Sequence, residues 1–159
     1  MTDEHPDHAN VVALPPLVYL AFLFLGVGLN YVWPLAPLAN GPRYPLGFAL
    51  VASGVLVIAR AMVQFRRAGT HLEPYKPTTA LVTDGVFRWS RNPIYLGLSL
   101  IYVGIGVIAN NGWIVILLVP VLIVMRYGVI AREERYLECK FGETYRRYKA
   151  TVRRWLGRT

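Results

Sequence analysis

Residues Ile94–Met125 read IYLGLSLIYVGIGVIANNGWIVILLVPVLIVM, a run without a single charged side chain. As one helix it would extend about 48 Å at 1.5 Å per residue. That exceeds the roughly 30 Å of hydrocarbon in a bilayer, which about 20 apolar residues cross. Asn110-Asn111-Gly112 interrupts the run with a turn signal. The stretch therefore reads as a tight helical hairpin, Ile94–Ala109 and Trp113–Ile130, with Pro120 expected to kink its second arm.

Two more uncharged runs precede it, Ala9–Pro42 and Tyr44–Ala59. The first holds a span over Leu14–Trp33, with Pro15 and Pro16 in the opening turn, where a missing N–H costs least. The second span covers Pro45–Phe65, and Arg60 near its end reaches the headgroups along its own aliphatic stem. The expected architecture is all-α: an integral membrane protein of about four transmembrane helices. Spans three and four form the hairpin, and a C-terminal helix follows. Three spans result if the first segment only lies in the interface. Composition agrees, with 55% hydrophobic and 16% charged residues and a mean hydropathy of +0.39. The 159 residues form one domain, with no room for a soluble catalytic domain beside the spans.

Charge placement orients the chain. Arg66, Arg67, Lys76, Arg88 and Arg91 lie between spans two and three, and ten basic residues run from Arg126 to Arg158. The opposite side carries only Arg43. The excess of basic residues places the middle loop, the tail and, with four spans, both termini in the cytoplasm. The net charge of +8 is then directed at anionic headgroups, and no nucleic-acid motif accompanies it.

Several features reduce to ordinary explanations. The acidic segment Met1–Asn10, with His5 and His8, reads as a frayed tail rather than a metal site or signal peptide. One cysteine, Cys139, excludes an intrachain disulfide and a cysteine-rich metal centre, and no metal is expected. Gly26-Val-Gly28 and Gly104-Ile-Gly106 lie inside spans and do not complete a nucleotide-binding loop. They read as helix-packing positions.

The chemistry falls to the middle loop and the tail, residues 66–97 and 126–155. The loop carries Pro74, Pro77, the apolar Thr79-Ala-Leu-Val82 and the turn Thr83-Asp-Gly85. It runs directly into Arg91-Asn-Pro-Ile-Tyr95 at the start of the third span. The tail reads as helical from about Arg126 through Arg147. Leu137, Phe141, Tyr145 and Tyr148 share one stripe, expected to pack onto the loop.

Thr79-Ala-Leu-Val-Thr-Asp-Gly-Val-Phe87, Arg91-Asn-Pro-Ile-Tyr-Leu-Gly97, Arg132-Glu-Glu134 and Phe141-Gly-Glu-Thr-Tyr145 with Tyr148 together resemble the isoprenylcysteine carboxyl methyltransferase family. That family groups with the membrane phospholipid methyltransferases. The resemblance covers Phe65–Trp155, roughly the second half of the chain. It implies a membrane methyltransferase using S-adenosylmethionine, held on the cytoplasmic side by the loop, the start of span three and the tail. The acceptor is then expected to enter from the bilayer, and a small prokaryotic-type member would sit in the inner membrane.

Carried over by position, the cofactor contacts fall on Thr79, Ala80, Leu81, Val82, Phe87, Asn92, Pro93, Ile94, Tyr95 and Glu133. Asn92 stands where His is commoner, so a titratable imidazole is missing there. Phe87 stands where Tyr is frequent.

The chemistry of these side chains agrees with that placement. Glu133 can pair with the donor's ammonium, and Arg91 with its carboxylate through a bidentate fork. Phe87 or Trp89 can cover the adenine. Tyr95, taken as one helical turn in from Arg91, can bond the amino-acid part. Arg126 and Arg132 are candidates to orient an anionic acceptor. That acceptor is a lipophilic or small molecule methylated on carboxylate, thiol or amine. A non-catalytic membrane protein that binds lipid or a partner, and an NADPH-dependent membrane reductase, are the alternatives.

Overall fold

The computed structural model describes residues 14–36, 41–70 and 78–159. The N-terminal segment with His5 and His8, and His71, Pro74, Lys76 and Pro77 of the middle loop, lie outside these residues. Four apolar helices run alternately up and down: α1 Pro15–Val32, α2 Arg43–Arg67, α3 Pro93–Ile108 and α4 Gly112–Val124. A π-helical turn, Met125–Ile130, then leads into α5, Ala131–Thr151. No strand occurs among the described residues, only one isolated bridge between Val152 and Arg158. The chain is an all-α membrane protein, as its uncharged runs require.

Helix α1 packs against α3 and α4 along one face. The Tyr19 ring meets Tyr102 of α3 edge-on at 5.8 Å, and Gly26 packs against Ile114 of α4. Helix α1 is one of three helices long and apolar enough to cross a membrane, and α3, at 16 residues, is a shorter apolar helix. The hairpin turn also falls where expected. Asn110 takes a left-handed φ of 51°. Asn111 caps α4 by accepting from the Ile114 N–H, and its amide donates to the Gly26 carbonyl.

Helix α3 sits between α2 on one side and α1 with α4 on the other. Its seam with α2 is made of glycine. A Cβ on Gly54 would lie 2.5 Å from the Gly97 carbonyl oxygen, and one on Gly104 would lie 2.8 Å from that of Gly47. Backbones touch there, as small residues permit in lipid. Gly26, Gly104 and Gly106 fill the packing role expected of them. Gly28 does not: nothing lies within 4 Å of its Cβ position.

The lower part of the fourth span differs from a simple proline kink. Pro120 lies inside α4, and the helix widens into the π turn five residues later. Such a turn adds a residue to the helical repeat and rotates everything beyond it. The apolar part ends at Ile130, and α5 leaves the bundle with Arg132, Glu133, Glu134 and Arg135 in its first turn. A second break falls at Gly142, with φ of 52°, which lets the tail fold back toward α3.

Candidate functional site

The 78–92 segment, the start of α3 and the first half of α5 converge at one end of the bundle, the loop end. Their order follows from local chemistry. Gly85, at φ of 55°, opens a short 3₁₀ turn, Gly85–Arg88, that buries Phe87 edge-on against Phe65 of α2 at 5.0 Å. Pro93 starts α3, with Asn92 in the capping position. Arg91 therefore precedes the helix, and its relation to Tyr95 is set by this cap rather than by one helical turn.

Beyond α5 the chain makes a tight hairpin that reading by periodicity missed. Arg153 N–H donates to the Gly157 carbonyl, and Gly157 N–H to the Trp89 carbonyl. Arg91 N–H donates to the Arg153 carbonyl at 3.1 Å, and the Asn92 amide donates to the Arg154 carbonyl at 3.0 Å. Asn92 thus spends its amide donor on fastening the hairpin, with its backbone N–H donating to Ser90 Oγ.

These elements enclose a cleft with a cavity volume of about 120 Å³. Ala80, Leu81, Val82, Phe87, Arg91, Asn92, Pro93, Ile94, Tyr95 and Glu133 all line it. Thr79 does not. Its hydroxyl donates to the Gly69 carbonyl and its N–H to Thr70 Oγ1, which turns it outward. Arg126 and Arg132 are also exposed and outside the lining. Arg126 lies over the Tyr127 ring instead. Trp89 is exposed and cannot cover a ligand in the cleft. The remaining wall comes from Phe65, Thr78, Tyr136, Leu137, Tyr145 and Tyr148. The tail stripe therefore packs and lines at once: Tyr148 donates to the Phe87 carbonyl at 2.7 Å while facing the cleft.

Two adjacent carboxylates take different partners. Glu134 is buried and holds two arginines, Arg91 at 3.2 Å and Arg154 through Oε1 at 3.0 Å and Oε2 at 2.6 Å. Glu133 accepts from the Tyr95 hydroxyl at 2.5 Å. Its carboxyl opens onto the cleft, so by surface area it is only half-buried, although protein atoms crowd it. Burial pushes that carboxyl up to about 7; the Tyr95 hydrogen bond opposes the rise, and the neighbouring Glu134 charge adds to it.

Arg91 is the complementary group. Nη2 meets Glu134, the Tyr145 hydroxyl lies beside the guanidinium, and Nε and Nη1 are buried without a well-aligned hydrogen-bond partner among the described residues. Unpaired buried donors are costly, and Arg91 is a lining residue of the cleft. An open carboxyl, unpaired guanidinium donors and an aromatic wall fit an amino-acid-bearing nucleoside: ammonium to Glu133, carboxylate to Arg91, base against Phe87 and the tyrosines. No group of three metal-ligating side chains exists among the described residues.

A family model described as phospholipid methyltransferase matches residues 42–144. The chain is 44% identical over 63 residues to an uncharacterized protein of Haemophilus influenzae, covering 40% of this chain and all of that one. It is 31% identical over 109 residues to the protein-S-isoprenylcysteine O-methyltransferase of Schizosaccharomyces pombe, covering 67% of this chain and 45% of the relative. It is 29% identical over 149 residues to protein-S-isoprenylcysteine O-methyltransferase A of Arabidopsis thaliana, covering 91% and 71%. No solved structure matches significantly.

Proposed function

The chain belongs to the phospholipid methyltransferase family, and from that premise we propose that it transfers a methyl group from S-adenosylmethionine to a lipophilic or small acceptor at the cytoplasmic face of the membrane. The observation that carries this reading is the presence, in one aromatic cleft, of the Glu133 carboxyl and the Arg91 guanidinium. Opposite charges lining one cleft suit the two ends of an α-amino acid. The names of the two O-methyltransferases support a methyl acceptor that carries an oxygen nucleophile.

The bound donor would supply an electrophilic methyl on a sulfonium. This chain's residues would do the positioning. Arg91, held by Glu134 and by the hairpin carbonyl of Arg153, fixes the carboxylate end. Glu133, oriented by Tyr95, fixes the ammonium end. Phe87, Tyr145 and Tyr148 exclude water from one wall. Alignment and dehydration are the means by which a direct displacement is accelerated. A carboxylate or thiolate acceptor arrives already anionic and requires no base. An amine acceptor would have Glu133 as the nearest titratable group.

Isothermal calorimetry of the detergent-purified chain against S-adenosylhomocysteine and NADPH tests the reading. Binding of S-adenosylhomocysteine that Glu133→Gln weakens is the expected result. Binding of NADPH alone would point to a reductase, and binding of neither to a non-catalytic membrane protein. Mass spectrometry of membrane extracts incubated with methyl-labelled donor would then identify the acceptor.

A further inference from the structure

Tyr148 has a second side. It also lines a separate open recess between the 83–88 segment, α5 and the C-terminal hairpin. Three arginines, Arg88, Arg147 and Arg158, reach this recess, with the hydroxyls of Thr144 and Thr151 and one carboxylate, Asp84. Arg147 lies 3.5 Å from Glu143. Arg88 and Arg158 make no ion pair among the described residues. The recess therefore presents net positive charge and hydroxyl donors, the chemistry of a phosphate site.

What lies beside it selects the source of the phosphate. Trp89 and Leu156 are 61% and 64% exposed. The bond from Gly157 N–H to the Trp89 carbonyl ties the backbone next to Leu156 to Trp89. Trp89 follows Arg88 directly, and Leu156 lies two residues before Arg158. An exposed tryptophan and leucine next to unpaired arginines is the composition of a membrane–water boundary. In water that apolar pair would be a liability; in a bilayer it seats the arginines at headgroup level.

We propose that this recess binds the phosphate of an anionic phospholipid, with Arg88 and Arg158 on the phosphate and Trp89 and Leu156 in the acyl boundary beside it. Asp84 and the threonines would take the hydroxyls of a glycerol headgroup, which a choline headgroup lacks. A lipid held there would brace the loop that carries Phe87 and Arg91 from outside the cleft. The site is independent of the methyl-transfer reading and is tested without it.

The full chain, released into native mass spectrometry from nanodiscs holding phosphatidylcholine and phosphatidylglycerol in equal parts, should retain phosphatidylglycerol preferentially. Replacing both arginines, Arg88→Gln with Arg158→Gln, should cut that preference by about 30-fold, the combined worth of two basic groups at an anionic surface. The control pair Arg66→Gln with Arg67→Gln, exposed but outside the recess, should keep it. Equal retention of both lipids by the wild type, or an equal loss in the control pair, overturns the proposal. So does inorganic phosphate binding to delipidated protein with the same arginine dependence and displacing the lipid, which would assign the site to a soluble phosphate. If the arginine pair does not fold, Trp89→Ala with Leu156→Ala decides: weakened lipid retention supports the site, and unchanged retention sinks it.

Discussion

Helix α3 meets its neighbours in two opposite ways. Along α2 it presents Gly97 and Gly104 and lets two backbones touch. At the loop end it presents Pro93, Ile94 and Tyr95, and stands away from α5 to leave a cleft. The seam is closed, apolar and free of side-chain chemistry. The cleft is open, aromatic and holds two carboxylates and a guanidinium with unspent donors. The rigid contact is what makes the open one useful, because a cleft keeps its spacing only if the helix lining it cannot shift.

Glu134→Ala would break the comparison most severely. It strands the buried Arg91 guanidinium and removes both bonds to Arg154, and losing one side of a buried ion pair costs about 3–5 kcal/mol. Thermal unfolding should show a lowered midpoint, and the loop end should become accessible to protease. Damage on the seam side is next. Gly54→Ala forces a methyl against the Gly97 carbonyl and should cost about 1–3 kcal/mol. Because α3 moves, cofactor affinity should drop as well, although Gly54 lies outside the cleft lining. A variant with lowered stability and unchanged affinity would separate the two regions and refute their coupling.

Glu133→Gln sharpens the cleft side. Losing a charge-assisted contact of about 1.5–3 kcal/mol should weaken S-adenosylhomocysteine binding about 10- to 100-fold, while the unfolding midpoint rises or holds, since burying that charge opposes folding. A pH titration follows. With the Glu133 carboxyl at about 7 in the empty protein, its anionic form is lost as pH falls. Affinity should decrease roughly tenfold from pH 8 to pH 6, and the glutamine variant should flatten that slope. Thr79→Ala is the smallest expected change. Thr79 faces away from the cleft, so binding should stay within about 0.5 kcal/mol of wild type.

The spans were legible because charge is excluded from hydrocarbon, and four uncharged stretches divide at Pro42–Arg43, the middle loop and Asn110–Gly112. The cleft was legible in its contiguous motifs: Ala80–Val82, Phe87, Arg91–Tyr95 and Glu133 come together as their order suggested. What was not legible depends on rotation and reversal. The π turn at Met125–Ile130 changes which face of the helix follows it, and Arg126 and Arg132 end up exposed. The reversal at Gly142 and the hairpin through Gly157 bring Arg154 to Glu134, a pairing twenty residues apart that no periodicity announces. Residues Leu137, Tyr145 and Tyr148 read as packing because lining a cleft and filling a core use the same side chains.

The hairpin bonds set a schedule for biosynthesis. Glu134 gains its second cation, and Arg91 and Asn92 their carbonyl acceptors, only after residues 153 and 154 have left the ribosome. All four apolar helices are translated before that moment. Completion of the cleft therefore waits on the segment translated after all four apolar helices.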